Sequence, residues 1–300
     1  MKTGTRRLSF AEGTIAGITF GTASIFVRLL GVLDTFSIAF WRMIVACAIL
    51  LIVVFVLQKS FNASLVKKNL RELFILSLLL GMHFIFFVSA VKDTTVLNAT
   101  ALVSTAPLFS VFISSFVFKL RPSSTAIVGL VFSLIGVCVI GLAEAAASSM
   151  HSSAHFPTLK GDLEAILAAV TIAIYLNYGK KTRNKMSLLS TMLPTYALTA
   201  VVIGLVSVPA GSIVKAVPAE LGLILPLVGL GLLPTAIAHT LEFSSLSNLK
   251  PFETANMALL EPVGATILAA IVFQEVPGPI FVAGAAMISA GVLFIGKSKN

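Results

Sequence analysis

Long apolar segments separated by short polar ones follow one another along the whole chain. Ten of these segments are roughly 20 residues long, the length that an α-helix needs to cross the hydrocarbon core of a bilayer. They lie at about 10–30, 36–57, 72–91, 98–118, 123–143, 161–179, 187–208, 221–244, 253–274 and 278–296. The pattern predicts an all-α integral membrane protein with ten transmembrane helices.

The composition supports this prediction. Hydrophobic residues make up 57% of the chain and charged residues only 11%, whereas about a quarter of the residues in a soluble domain are charged. So few charges could not cover a surface that faces water. Cys47 and Cys138 both lie in apolar segments, so no disulfide framework is indicated.

The basic residues predict an orientation in the membrane. With the N-terminus in the cytoplasm, 16 of the 21 Lys and Arg residues fall in cytoplasmic segments and three in external ones. This asymmetry follows the positive-inside rule. We therefore expect a multi-pass protein of the plasma or inner membrane, with both termini cytoplasmic and the first apolar segment retained. The basic residues that give the chain its net charge of +9 then lie beside lipid headgroups. No nucleic acid partner is expected.

An internal repeat divides the chain. Shifting the sequence by 155 positions lays residues 89–141 on residues 244–296 without a gap, and ten positions are identical, including Pro107 with Pro262. We predict a first five-helix repeat at 1–148, an external linker at 149–160 and a second repeat at 161–300. Since five is odd, the second repeat enters the membrane from the opposite side, which gives two inverted five-helix repeats.

Glu261 and Pro262 form the most informative pair of residues. An acidic side chain in the middle of a membrane helix costs on the order of 2.5–3.5 kcal/mol, and proline removes a backbone donor. Both features are tolerated where protein or water satisfies the polar groups. Glu261 is therefore expected to bind substrate or a proton in a cavity, or to lock two helices together. Pro107 is the repeat counterpart of Pro262 and marks a second irregular helix.

Five further side chains are candidates for the same cavity. Tyr175 is expected to contact a ligand or to find a backbone partner, and Asn256 adds polarity. His83 and His239 are the histidines inside apolar segments; they are candidates for proton transfer or for packing. Arg42 can extend toward the surface or, as we favour, pair with an acid inside the bundle.

Two more patterns concern neighbours of these residues. In the eighth segment, Thr235, His239 and Glu242 share one face. In the first segment, Gly17 and Gly21 form a small-xxx-small pair that favours close helix packing.

The repeat and its motifs resemble the drug/metabolite transporter superfamily, specifically EamA-type permeases with ten helices. The resemblance rests on "LLEPVGATILAAIVFQE" followed by "GAAMISAGVLFIG", and on "STAPLFSVFISSFVF" followed by "GLVFSLIGVCVIG". "FWR", ending at Arg42, resembles the arginine often found early in the second helix of this family. The resemblance implies a transporter of small solutes, frequently directed outward.

The sequence contains no Walker loop, no H-E-x-x-H, no G-x-S-x-G and no potassium-filter motif. We therefore predict a non-enzyme without cofactor or metal: a secondary transporter that exports a small metabolite, such as an amino acid, by alternating access. A coupling proton or counter-substrate and the oligomeric state are left open. One alternative is an exchanger or importer of a larger charged metabolite such as a nucleotide derivative, which Arg28 and Arg42 leave open. The other is a non-transporting membrane enzyme or scaffold.

Overall fold

A computed structural model of the 300-residue chain describes residues 5–56, 61–148, 158–212, 214, 220–273 and 278–297. Within these ranges, the regular elements are all helical, as predicted. The α-helices are α1 Arg6–Phe20, α2 Ala23–Leu29, α3 Thr35–Val56, α4 Ala63–Lys68, α5 Leu70–Asp93, α6 Val96–Val103, α7 Ala106–Phe116, α8 Ser124–Ser148, α9 Leu159–Arg183, α10 Leu188–Ser207, α11 Leu221–Leu230, α12 Thr240–Ser245, α13 Pro251–Met257, α14 Glu261–Phe273 and α15 Pro279–Lys297. Most of the predicted linker, residues 149–157, lies outside the described residues.

Eight helical segments of the described chain are long and apolar enough to cross a membrane, so the protein is a multi-pass membrane protein. They are Arg6–Leu29, Thr35–Val56, Leu70–Asp93, Asn98–Phe116, Ser124–Leu142, Leu188–Ser207, Leu221–Ser245 and Pro279–Lys297. They correspond to eight of the ten predicted segments. The sixth and ninth segments are also helical, as α9 and as the α13–α14 run.

Four of the long helical runs in the described chain are interrupted. Gly21 and Thr22 separate α1 from α2, and each of the other three interruptions has a proline beside it. Ser104 and Thr105 separate α6 from α7, whose second residue is Pro107. A short 3-10 turn, Ala258–Leu260, separates α13 from α14, whose second residue is Pro262. A π-helical segment, Gly231–His239, joins α11 to α12 and contains Pro234. Because proline cannot donate a backbone hydrogen bond, it leaves carbonyl groups unpaired one turn earlier.

Helices α8 and α15 pack against each other in antiparallel directions. A Cβ atom at Gly129 would lie 2.6 Å from the carbonyl oxygen of Gly291, and one at Gly136 would lie 2.6 Å from the carbonyl oxygen of Gly284. Residue numbers therefore rise along one helix as they fall along the other. Glycine at these positions lets the two backbones touch.

The remaining contacts between the halves come in matching sets. Helix α5 of the first half packs along α9 of the second half. In the same way, the π segment and α12 of the second half pack along α1 of the first half. Helix α3 packs along α10. Gly204, near the end of α10, approaches Phe40, near the beginning of α3. The Asn62 amide, beyond the end of α3, donates to Ser190 at the beginning of α10, so these two helices are antiparallel as well. Each half thus presents similar surfaces to the other. The largest apolar core lies between α3, α5, α9 and α10.

Polar contacts join the two halves at one end of the bundle, which we call the Arg6 end. The Arg6 guanidinium forms an ion pair with Glu253 at 2.8 Å. Ser9 Oγ lies 3.1 Å from Ser247 Oγ, and Asn248 donates to Ser9 Oγ at 3.0 Å. The beginning of α1 is thereby held against the turn between α12 and α13.

A related set of contacts lies at the opposite end, which we call the Lys160 end. Lys160 Nζ forms an ion pair with Asp93 at 2.7 Å. Thr94 Oγ1 donates to Asp162 at 2.9 Å, and Asn98 Nδ2 donates to the same carboxylate oxygen at 3.3 Å. The beginning of α9 is thereby held against the turn between α5 and α6, as α1 is at the Arg6 end.

The predicted glycine pair, Gly17 in α1 and Gly21 directly after it, lies against backbone of the second repeat. A Cβ atom at Gly17 would lie 1.9 Å from the carbonyl oxygen of Met257, and one at Gly21 would lie 2.2 Å from the amide nitrogen of Ala265. Helix α1 therefore lies directly against the interruption between α13 and α14. The predicted role of these glycines in close packing is confirmed.

Gly17→Ala is expected to lower the free energy of unfolding by about 1–3 kcal/mol, because the added methyl group overlaps backbone that cannot move freely. Gly222→Ala is the matched control, since no atom lies within 4 Å of a Cβ at that helical position, and it should leave stability unchanged or raise it. Thermal unfolding of the two purified variants in detergent measures the difference. Equal stability would contradict the close approach of α1 to α13–α14.

Candidate functional site

A cavity lies between the two halves, beside the interruptions in the helices. Its volume is about 60 Å³, enough for a few water molecules. The walls are mostly apolar, with contributions from Phe20, Phe84, Phe87, Ile172 and Leu176. Its polar lining side chains are Arg42, His83, Ser104, His239, Glu242 and Glu261.

Equivalent positions of the two repeats line this cavity, with different chemistry. Five pairs of lining residues are separated by 155 positions: Val103 and Ala258, Ser104 and Leu259, Ala106 and Glu261, Phe84 and His239, and Phe87 and Glu242. In the last three pairs the first repeat supplies an apolar side chain and the second an ionisable one. The cavity is therefore similar in shape on its two sides but not in charge.

Arg42 is buried in the cavity wall, with 1% of its surface exposed. Its Nε donates a 3.0 Å hydrogen bond to Thr235 Oγ1, and its guanidinium carbon lies 4.0 Å from the centre of the Phe84 ring. Its Nη1 is buried and has no hydrogen-bond partner in the described chain. The acid that we expected to pair with Arg42 is not found among the described residues. The cation instead stacks on an aromatic ring.

His239 and Glu242 form a buried pair at the junction of the π segment and α12. His239 Nδ1 lies 3.2 Å from Glu242 Oε2. The imidazole also packs edge-on against Phe20 and Phe84, with ring centres 4.6 and 4.9 Å away. One Glu242 oxygen thus has a partner within the protein.

The second histidine of the cavity, His83, lies close to the first. The two imidazole centres are 5.9 Å apart. His83 Nδ1 lies 2.9 Å from the carbonyl oxygen of Ala168, and because a carbonyl can only accept, this nitrogen carries the hydrogen. The arrangement ties α5 to α9 and leaves the other ring nitrogen of His83 for the cavity.

Glu261 is the first residue of α14, immediately after the 3-10 turn. Its Oε1 is buried and has no hydrogen-bond partner among the described residues. Close contact between Gly21 and the segment from Glu261 to Ala265 sets its position against α1. A buried carboxylate oxygen without a partner is costly, and the residue that carries it also lines the cavity.

Two of the expected cavity residues lie elsewhere in the structure. Tyr175 is fully buried, and its hydroxyl meets only the Met192 sulfur, at 3.8 Å. Asn256 is also fully buried and donates to Ser133 Oγ at 3.1 Å, while its Oδ1 has no partner among the described atoms. Neither belongs to the cavity lining, whereas Pro107 does.

Glu242 is the ionisable lining residue that the sequence did not bring forward as a site residue. Its position on the same helix face as His239 was visible from the i, i+3 spacing. What the spacing could not show is that this face shares the cavity with Glu261 of the same half and with Arg42 of the other half. Among the described residues, no group of three His, Cys, Asp or Glu side chains is arranged to hold a metal ion.

Two buried tyrosines, one in α9 and one in α10, provide a matched comparison. Tyr196 Oη lies 2.9 Å from the carbonyl oxygen of Thr235 and 3.0 Å from Thr240 Oγ1, whereas Tyr175 makes only its contact with sulfur. Tyr196→Phe should lower the free energy of unfolding by about 1–3 kcal/mol, because buried polar partners lose a hydrogen bond. Tyr175→Phe should change it by only a few tenths, and equal losses in thermal unfolding would contradict these assignments.

Comparisons with known proteins identify the family. The family model described as "EamA-like transporter family" matches residues 12–142 and again residues 159–297, so the chain contains two copies of one unit. No curated protein matches the chain in sequence. A solved structure, described only as "Crystal structure of protein", has 18% sequence identity and a TM-score of 0.78, and the match covers 97% of this chain and 96% of that chain. That likeness concerns the fold alone. The two matches to the family model span well over half of the sequence, and the chain belongs to the EamA-like transporter family.

Proposed function

We propose that this protein is a secondary active transporter that moves a small metabolite through the cavity by alternating access. The observation that carries the proposal is the cavity itself: it lies between two repeats, beside interrupted helices, and holds ionisable side chains. Substrate sites of transporters built from repeats typically lie at the repeat interface and are formed by discontinuous helices.

The helix directions support an inverted relation between the repeats. Helices α8 and α15 occupy equivalent places in the two matched units and are antiparallel. The equivalent helices α3 and α10 are antiparallel as well. A two-fold axis in the membrane plane produces this relation, whereas an axis along the membrane normal would make equivalent helices parallel.

We propose ten membrane crossings, with α9 as the sixth and α13–α14 as the ninth. The contacts at the two ends of the bundle support this topology. The Arg6 end holds segments that the basic residues assign to the cytoplasm: Arg6 contacts Glu253, and Lys250 donates to the carbonyl oxygen of Arg121. The Lys160 end holds segments assigned to the outside. We therefore place both termini in the cytoplasm and the protein in the plasma or inner membrane.

A small substrate fits the cavity better than a large one. The small volume of the cavity, and its apolar walls with a few ionisable side chains, favour an amino acid or a related compound as the substrate. We propose export as the direction of transport. The alternative substrate, a larger charged metabolite such as a nucleotide derivative, was left open because of Arg28 and Arg42. Arg28 is exposed near the end of α2, so only Arg42 supports that alternative.

Within this site we assign binding of substrate, coupling proton or counter-substrate to Glu261, Glu242, His239, His83 and Arg42. Tyr175 and Asn256 take a supporting role, because their contacts hold α9 and α13 in place. Pro107 and Pro262 keep the α6–α7 and α13–α14 runs interrupted.

Glu261→Gln tests whether the acid takes part in transport. Glutamine keeps the size and much of the hydrogen bonding but removes the titratable charge. The variant should fold, reach the membrane and lose most gradient-driven flux in proteoliposomes tested with a panel of small metabolites. Glu220→Gln is the matched control, because Glu220 is exposed.

The control should transport as the unaltered protein does. Normal transport by Glu261→Gln between pH 5 and pH 8 would show that the acid only joins helices. Absence of flux for every metabolite with the unaltered protein would contradict transport itself.

A further inference from the structure

The π segment Gly231–His239 places the hydroxyl of Thr235 beside Arg42. Pro234 has no backbone N–H, so it cannot donate to the Leu230 carbonyl, the acceptor four residues earlier that an α-helix would give it. The Thr235 hydroxyl donates to that carbonyl at 2.7 Å. Because a hydroxyl carries one hydrogen, Thr235 Oγ1 then accepts from Arg42 Nε, 3.0 Å away. The direction of this hydroxyl is therefore fixed within the π segment itself.

The bond to Thr235 is one of two contacts that orient the Arg42 guanidinium. Phe84 of α5 covers one face of the cation, with 4.0 Å between the ring centre and the guanidinium carbon. Stacking defines a plane for the guanidinium but no direction within that plane. The hydrogen bond from Nε supplies the direction, and it comes from the opposite half of the protein. The orientation of Arg42 in the cavity wall thus depends on Thr235.

Tyr196 of α10 holds the π segment from the side away from Arg42's ring contact. Its Oη lies 2.9 Å from the carbonyl oxygen of Thr235 and 3.0 Å from Thr240 Oγ1. Because a carbonyl can only accept, the tyrosine donates to Thr235, and the hydroxyl of Thr240 donates to the tyrosine. Thr235 and Thr240 stand on either side of His239 in the sequence. Tyr196 therefore fixes the backbone that carries both Thr235 and His239.

The equivalent place in the first repeat is built differently. Helix α5 is α-helical throughout Leu70–Asp93, and the positions 155 residues before Thr235 and Thr240 hold the apolar residues Leu80 and Ile85. Neither of these side chains can accept or donate a hydrogen bond. The arrangement therefore belongs to the second repeat.

We propose that Thr235 and Tyr196 are positioning residues of the transport site: Thr235 sets the direction of the Arg42 guanidinium, and Tyr196 sets the π segment that carries Thr235 and His239. This proposal rests on the proposed transport function and concerns the same site. Both side chains are fully buried, and neither is among the described residues that line the cavity. They act on a solute through Arg42 and His239, which do line it.

The Nε–H group of Arg42 is observed by NMR in purified protein enriched in ¹⁵N at arginine, and its signal is identified by its loss in Arg42→Lys. In the unaltered protein this hydrogen should exchange slowly with water, because it is buried and bonded. Thr235→Val keeps the shape of the side chain and removes the acceptor. It should speed the exchange about tenfold or more, whereas Thr235→Ser should retain most of the protection.

Tyr196→Phe distinguishes a positioning residue from one that only stabilises its surroundings. The substitution leaves every side chain of the cavity unaltered, yet it should shift the Arg42 Nε–H signal and the ring signals of His239. Tyr175→Phe is the control, because the Tyr175 hydroxyl contacts the Met192 sulfur, and it should leave these signals in place. The signals of the other arginines show whether each variant is folded.

Flux into proteoliposomes measures the consequence for transport, with radiolabelled alanine, threonine and phenylalanine as the probes. Thr235→Val should raise KM about tenfold and change kcat less than about twofold, since a misdirected guanidinium weakens binding of the solute. Thr235→Ser should restore KM. Thr195→Val is the control: it removes a buried hydroxyl that donates to a helix carbonyl, that of Thr191, at 2.7 Å, and it should leave KM and kcat unchanged.

The outcomes separate the positioning roles from the transport function. Faster exchange in Thr235→Val, together with signals that shift in Tyr196→Phe but not in Tyr175→Phe, supports the proposal. An Arg42 signal that is the same in the unaltered protein, Thr235→Val and Tyr196→Phe overturns it, whatever the flux. A change in kcat alone for Thr235→Val, or an equal change in Thr195→Val, shows a merely structural role and overturns it as well. Absence of flux for all three probes with the unaltered protein counts against the proposed transport of amino acids, and the NMR comparison still decides the positioning roles.

Discussion

The rest of the structure depends on one constraint: inside a bilayer, polar groups must find their partners within the protein or in water that the protein encloses. Most polar side chains of the bundle do so, as the bonds of Tyr196, Thr235 and His83 show. Arg42 Nη1 and Glu261 Oε1 do not. Both residues line the cavity between the two repeats.

Close contact of backbones makes that cavity possible. Glycines let α1 touch the interruption between α13 and α14 and let α8 touch α15. The interruptions themselves carry Pro107 and Pro262, at positions that the repeat makes equivalent. The two repeats thus form similar walls, while substitutions such as Ala106 in one and Glu261 in the other place the charges unequally. A cavity with this asymmetry can orient a solute.

The sequence was sufficient to predict an all-helical membrane protein built from two repeats, because both features depend on local patterns. Apolar segments, the shifted repeat and the Gly17–Gly21 pair all have a period or a spacing that can be read directly. The place of Glu261 in a cavity wall could also be predicted, because an acid beside a proline in an apolar segment is costly. The helix interruptions were expected at Pro107 and Pro262 for the same reason.

The partners of the polar residues could not be predicted, since they depend on contacts between distant helices. Arg42 stacks on Phe84 and bonds to Thr235, 193 positions away, where an acid was expected. Tyr175 faces Met192 because α9 turns that side toward α10. Glu242 enters the site through the π segment, whose additional residue per turn changes the direction of its face. The spacing of residues in the sequence does not indicate any of these contacts between helices.

The central claim is that the two ends of the bundle open in turn around the cavity. Thr94 and Asp162 join the halves at the Lys160 end, with Thr94 Oγ1 2.9 Å from the Asp162 carboxylate. The most direct measurement is flux through a Thr94→Cys, Asp162→Cys protein that lacks Cys47 and Cys138, before and after oxidation to a disulfide. Our account predicts that oxidation abolishes flux, that a reductant restores it, and that each single cysteine variant is unaffected. Full flux through protein that is completely cross-linked would contradict alternating access at this end.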